Sequence, residues 1–273
     1  MDLDFTQTAA KDEDYDPAVA QKCFKSFGKT ESFTEAQEIF AEGQPSDRMY
    51  YIVEGEVGLS RNRKTLDIVK AGEVFGEIAV ITEQTRTADA KARTACQVLA
   101  LDARQFQQAL QATPEFALML MNIMTNRLRV TIALMKQSSS LPALDNRDEM
   151  RVFDDRTMQD LVAAFRAKPP QVFPAGRIIL KEGDAGSAMY VVLRGRVSVS
   201  IKSVPMDTVG PGGTFGELAL VDKTSRLATA VAGTECQLLT INRNDFLNLV
   251  KTKPGFAISL LKTTAERLRK MKR

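Results

Sequence analysis

Phe75-Gly76-Glu77-Ile78-Ala79-Val80, followed by Arg86-Thr87-Ala88, is written a second time as Phe215-Gly216-Glu217-Leu218-Ala219-Leu220 with Arg226-Leu227-Ala228. In both copies the arginine falls nine positions after the glutamate. The same register, Phe75 on Phe215, carries well beyond the motif. Glu42-Gly43 matches Glu182-Gly183, Met49-Tyr50 matches Met189-Tyr190, Gly55 matches Gly195, and Arg127-Leu128-Arg129 matches Arg267-Leu268-Arg269. Residues 41–130 align on 181–270 without a gap and share 30 identities in 90 positions. Equal loop lengths with divergent surfaces indicate two copies of one domain; the units of a short-period solenoid run about 20–50 residues.

Composition fits that reading. A chain of 273 residues accommodates two domains of about 100–150 residues. With 44% hydrophobic and 26% charged residues, it suits ordinary soluble cores. No stretch reaches the roughly 18–20 apolar residues of a membrane span, and the N-terminus lacks the basic-then-apolar pattern of a signal peptide. Two of the three cysteines, Cys96 and Cys236, are repeat equivalents beside aliphatic residues, which reads as burial and not as disulfide pairing. A reducing cytoplasm is the expected location. The net charge is +3 but uneven, with six acidic residues against Lys11 in 1–16 and a basic C-terminal end. No aromatic residues interleave with those basic side chains, so they read as a solvated helix end and not as a nucleic-acid surface.

The chain contains no histidine. Imidazole-dependent metal sites and triads are excluded, and no obvious general base near neutral pH remains. No catalytic residue, metal ligand or cofactor is therefore assigned, and the chain is read as a non-enzyme.

Along the chain, Asp16-Pro17 opens a short helix that Gly28 ends. From Phe33 to Leu101 short strands alternate with turn residues; the clearest run, Met49–Ser60, is read as a hairpin reversing at Glu54-Gly55. This pattern indicates a sandwich or jelly-roll barrel. From Thr113-Pro114-Glu115 the apolar period becomes helical, through Phe116, Leu120, Ile123, Leu128, Ile132 and Met135 to about Gln137, with Thr113 as the expected N-cap. The second copy repeats the plan, with a helix over Thr157–Ala167, strands from Val172 to Ile241 and a helix from Pro254 onward. The expected organisation is an acidic, disordered tail (1–16), a first domain (17–137) ending in a long helix, a linker (138–156) and a second domain (157–273).

The motif has a coherent chemistry if a cyclic phosphodiester of ribose is its guest. Gly76 permits close backbone approach, and Glu77 to Ile81 as one helical turn would aim unpaired N–H groups at an anion. Arg86 offers a fork of donors for phosphate oxygens, while Glu77 can accept from a ribose hydroxyl. Ala79 and Ala88 keep the wall low. Gly216, Glu217, Arg226 and Ala228 take the same parts in the second copy. A glutamate stabilised by a helix dipole, or a plain Glu77–Arg86 ion pair, is the bland alternative; the duplication weighs against it.

Both repeats resemble cyclic nucleotide-binding domains, the family shared by the catabolite activator protein, cyclic-nucleotide-gated channels and regulatory subunits of cyclic-AMP-dependent protein kinase. The resemblance covers nearly all of 18–137 and 158–273. It implies a mainly β fold: two β-roll (double-stranded β-helix, jelly-roll) domains in tandem, with flanking helices. It implies that Glu77 and Glu217 bind the ribose 2′-hydroxyl, that Arg86 and Arg226 bind the cyclic phosphate, and that cAMP or cGMP is the ligand. Phe75, Gly76, Ile78, Ala79 and Ala88 complete the first cassette, and Phe215, Gly216, Leu218, Ala219 and Ala228 the second. The copies differ. Thr87 can donate a hydroxyl to the phosphate or a purine edge, whereas Leu227 cannot; Thr131 resembles a helix threonine that reaches the adenine amino group, or simply bonds its own preceding carbonyl. No helix-turn-helix for DNA and no Arg-Arg inhibitor segment is found. The resemblance thus implies a sensor that signals through an effector protein by rearranging the helices after each roll. The alternatives are a nucleotide-independent scaffold, with Phe116, Leu120, Ile123, Val130 and Leu134 either forming a homodimer seam or folding back on their own barrel, and a receptor for a cyclic dinucleotide.

Overall fold

The computed structural model describes residues 16–137, 151–220 and 225–271, apart from the side chains of 127–137 and 267–271. The acidic tail to residue 15, most of the expected linker and the side chain of Thr131 lie outside that description. In chain order the first repeat comprises α1 (Pro17–Phe27), β1 (Lys29–Phe33), β2 (Glu38–Phe40), β3 (Arg48–Glu54), β4 (Glu56–Arg61), β5 (Lys64–Lys70) and β6 (Val74–Phe75). It continues through α2 (Glu77–Thr82), β7 (Asp89–Ala92), β8 (Cys96–Asp102), α3 (Ala103–Ala112) and α4 (Glu115–Gln137). The second begins with α5 (Asp155–Ala164), β9 (Gln171–Phe173), β10 (Ile178–Leu180), β11 (Ala188–Arg194), β12 (Val197–Ile201), β13 (Val204–Val209) and β14 (Thr214–Phe215). A 3-10 turn (Glu217–Leu220), β15 (Thr229–Ala232), β16 (Cys236–Asn242), α6 (Arg243–Thr252) and α7 (Pro254–Met271) complete it.

Each repeat is a pair of four-stranded antiparallel sheets with flanking helices. The first repeat has the orders β1-β8-β3-β6 and β2-β7-β4-β5; the second repeats them as β9-β16-β11-β14 and β10-β15-β12-β13. The expected hairpin at Glu54-Gly55 is not one. β3 pairs with β6 and β8, β4 pairs with β5 and β7, and so consecutive strands enter opposite sheets. Gly55 makes the corner. Its φ is +95°, and a Cβ there would lie 2.5 Å from Ala95 O and 2.7 Å from Cys96 Sγ. The layers therefore close through the space a side chain would need. Between the layers of the first roll sit Phe40, Tyr50, Ile52, Val57, Val69, Phe75 and Val98. Cys96 joins this core, its thiol donating to Glu56 O at 3.2 Å, and Cys236 repeats the arrangement with Arg196 O at 3.2 Å.

The helices follow their caps. Asp16 Oδ1 accepts from Ala18 N–H at 2.9 Å and starts α1. Gly28 N–H closes it on Phe24 O at 2.8 Å. Phe24 stacks on Tyr51 with ring centroids 5.6 Å apart. It meets Phe116 edge-on at 5.9 Å, both arrangements that aromatic quadrupoles favour. Phe116 and Leu120 are fully buried, so the start of α4 folds back on its own roll; the side chains of Val130 and Leu134 lie outside the described residues. Two helices escape the sequence reading. α3 starts from an Asp102–Gln105 capping box, and α6 from the equivalent Asn242–Asp245 pair. Thr113 consequently joins two helices: its N–H closes α3 on Ala109 O at 2.9 Å, and its carbonyl accepts from Phe116 N–H at 3.0 Å. α5 starts two residues earlier than expected because Asp154 caps it through Thr157 N–H, and it ends at Ala164.

The described residues cluster into two units, one within 1–124 and 250–273 and the other within 125–249. Within the first unit α7 lies along α2 and α3, and Lys262 Nζ approaches Glu83 Oε2 at 3.4 Å.

Candidate functional site

The first cassette is assembled on the edge of a sheet. Phe75 of β6 pairs with Tyr50 of β3, and their rings stack at 5.0 Å with Phe40 6.0 Å from each. The chain then turns sharply at Gly76, whose φ of +73° puts it in the left-handed region immediately before α2. A Cβ on Gly76 would lie 2.7 Å from Arg86 Nη1, so the glycine also makes room for the guanidinium.

Arg86 is the centre of this arrangement and is only 4% exposed. Its Nη1 donates to Gly76 O at 3.0 Å and its Nη2 to Arg48 O at 2.7 Å. The guanidinium carbon sits 3.9 Å from the Phe40 ring centroid, a cation–π contact in a desolvated place. Arg86 Nε is buried without a hydrogen-bond partner, as is Ser46 Oγ. Burial holds the Arg86 pKa below its usual value, opposed by Tyr50, Asp47 and Glu77. Burial likewise raises the Tyr50 phenol. Glu77, the first residue of α2, is 2% exposed. A buried cation with one unsatisfied donor carries a desolvation cost that an acceptor of negative charge would offset.

The second cassette repeats the anchoring. Arg226 Nη1 donates to Gly216 O at 2.9 Å and Nη2 to Ala188 O at 2.8 Å. Gly216 has a φ of +77°, and burial again lowers the arginine's pKa, with Tyr190 and Glu217 opposing. The supports differ. Leu180 stands where Phe40 stands, and Gly186 replaces Ser46; a Cβ on Gly186 would fall 2.2 Å from Arg226 Nε. Arg226 thus lies against bare backbone, beside a cavity of about 270 Å³ that Tyr190 and Ala188 also line. Glu217 Oε1 accepts from Thr214 Oγ1 at 2.5 Å, a buried bond that Val74 denies the first copy. The turn itself is 3-10 where α2 is α-helical.

Among the expected residues, Gly76, Glu77 and Arg86 come together, as do Gly216, Glu217 and Arg226. Phe75 and Phe215 pack beneath them, stacked on Tyr50 and Tyr190. Ala79 and Ala88 are buried, while Ile78, Thr87, Leu218, Ala219, Leu227 and Ala228 are half-buried. Sequence reasoning missed Phe40, Tyr50 and Thr214. The repeated Met-Tyr pair at 49–50 and 189–190 was the visible signal for the tyrosines; Phe40 had none, since its counterpart is Leu180.

The sequence profile described as the cyclic nucleotide-binding domain matches residues 30–113 and again 170–253. The chain belongs to this family. Both matches enclose a cassette and its arginine. A cGMP-dependent protein kinase, isozyme 1, of Drosophila melanogaster is 29% identical over 232 residues, covering 81% of this chain and 27% of the kinase. A cAMP-dependent protein kinase regulatory subunit of Eremothecium gossypii is 27% identical over 218 residues, 80% of this chain and 43% of its own length. A cyclic nucleotide-gated potassium channel of Rhizobium etli is 37% identical over 107 residues, 39% of this chain and 30% of the channel. The chain therefore spans well under two thirds of the length of these relatives. Among solved structures, the Thermus thermophilus catabolite activator protein aligns with a TM-score of 0.42 at 22% identity, over 60% of this chain and 74% of that one. The regulatory domain of Toxoplasma gondii PKA with cAMP aligns at 0.32 and 19%, over 96% and 99%. The chain thus carries two cyclic nucleotide-binding domains in tandem, similar in sequence to part of each of these two kinase proteins. No described helix is long and apolar enough to cross a membrane.

Proposed function

We propose that the chain is a cytoplasmic, non-catalytic receptor for a cyclic mononucleotide, cAMP or cGMP, that passes the signal to an effector protein. The observation that carries this reading is Arg86: a guanidinium 4% exposed, anchored at both terminal nitrogens and left with an unpartnered Nε beside the start of α2. A cyclic phosphate supplies the missing acceptor as a charged oxygen. Glu77 accepts from the ribose 2′-hydroxyl, Thr87 donates at the phosphate edge, and Ala79 and Ala88 leave room for the base. Gly216, Glu217, Arg226 and Ala228 perform the same tasks in the second site, where Leu227 has nothing to donate. The names of the relatives, cGMP-dependent in one case and cAMP-dependent in the other, support the ligand class and leave the base open.

Nucleotide binding shifts a pre-existing equilibrium only through tighter binding to one form. In this reading the form selected has the cassette drawn toward the phosphate and the following helix, α4 after the first roll, redocked. Isothermal titration of the full chain with cAMP and with cGMP is the test. Saturable binding of either supports the reading; no heat and no thermal shift with either removes it, in favour of a nucleotide-independent scaffold.

A further inference from the structure

The 3-10 turn Glu217–Leu220 is the last described stretch before residue 225, and carbonyls at the C-terminal end of such a turn can take donors from elsewhere in the fold. One arrives from far along the chain: Arg243 Nη1 donates to Leu220 O at 2.7 Å. Arg243 is the first residue of α6. That is a poor place for a cation so far as α6 is concerned, because the helix dipole presents positive charge there. A cation is well placed against the carboxyl end of another turn, and that is where the guanidinium goes.

The start of α6 is itself held fast. Asp245 N–H donates to Asn242 Oδ1 at 2.9 Å, Asn242 N–H donates to Asp245 Oδ2 at 3.2 Å, and Lys168 Nζ reaches both Asp245 oxygens at 2.7 Å. Arg243 transfers this fixity to the far end of the turn that begins with Glu217. The first repeat has no such tether: Ala103 stands at the matching position, and the end of α2 is closed by Glu83 N–H on Ala79 O and Val80 O.

We propose that Arg243 is a positioning residue of the second cyclic-nucleotide site. By holding Leu220 O it keeps the one-turn cassette docked, so that Glu217 and the Gly216 backbone stay in register with Arg226. The inference rests on the reading that this cassette binds nucleotide.

The test uses the full chain carrying Arg86→Leu, which weakens the first site roughly 10- to 150-fold and so leaves the second as the tighter one, titrated calorimetrically with cAMP and cGMP. Arg243→Ala is expected to weaken the remaining site by about tenfold, the scale of one lost hydrogen bond from a charged donor. Arg243→Lys, which keeps a cationic donor, restores most of that loss, and the melting temperature of both stays close to the parent's. If Arg243→Ala binds like the parent while Arg226→Leu abolishes binding, the positioning role falls and the site stands. Equal loss in the alanine and lysine variants with a lowered melting temperature also overturns it, as general structural support. If the Arg86→Leu parent itself binds neither nucleotide, the second site and the inference fall together.

Discussion

Arg86 and Arg226 share a hydrogen-bond pattern and differ in what lies against them. Both give their terminal nitrogens to two backbone carbonyls, one of them the glycine before the cassette. The first is stacked on Phe40 and the second rests on Gly186. Replacing Arg86 by leucine removes charge-assisted bonds and should reduce affinity at the first site by about 1.5–3 kcal/mol, roughly 10- to 150-fold, read by calorimetry with the second site silenced. Cys23 offers a pH handle. Burial pushes its thiol from 9.0 up to about 11. A raised thiol pKa favours the folded state fully while the unfolded thiol is still protonated. Its contribution is therefore intact below about 9 and erodes as pH rises from there toward about 11. Thermal melts of the parent should fall over that window, and Cys23→Ala should flatten the fall. The cassette residues were legible in the sequence because Gly, Glu and Arg recur at fixed spacing. Phe40 and Arg243 were not, since each acts across a fold contact and its repeat partner is Leu180 or Ala103; Thr214 acts locally on Glu217, but Val74 at the matching position hid it from the repeat comparison.

At the scale of elements, corners and caps decide more than strand propensity. Gly55 carries the chain from one sheet to the other, and its repeat Gly195 does so with a φ of +89°. Alanine at Gly55 would adopt a left-handed conformation, costing about 1–3 kcal/mol, and would also collide with Ala95 O. A clear drop in denaturation midpoint is expected, larger than for Gly43→Ala, whose Cβ meets nothing within 4 Å. Local sequence suggested a hairpin at Gly55 because a glycine between two alternating runs suits either a reversal or a corner; only the pairing of β3 with β8 and of β4 with β7 separates them. α3 was legible in principle, since Asp102 and Gln105 have capping-box spacing. Asp102→Ala should lower stability by about 1 kcal/mol without altering nucleotide affinity, measured by urea unfolding alongside a titration.

For the molecule as a whole, the repeat was the strongest message of the sequence, and the two rolls reproduce each other strand for strand. Long-range packing was beyond its reach. Cys23, Cys96 and Cys236 are all buried, so a thiol reagent should label none in the native protein and all of them in denaturant, counted by mass spectrometry. α7 follows the second roll in sequence, yet it packs along α2 in the unit built from residues 1–124 and 250–273. The border between sequence copies is thus not a seam along which the protein can be cut. A fragment ending at Gln137 would bare an α2 flank that normally has a neighbour, and should melt earlier or self-associate. Anyone transplanting the first domain into another protein would have to carry its distant cover along, or supply a substitute.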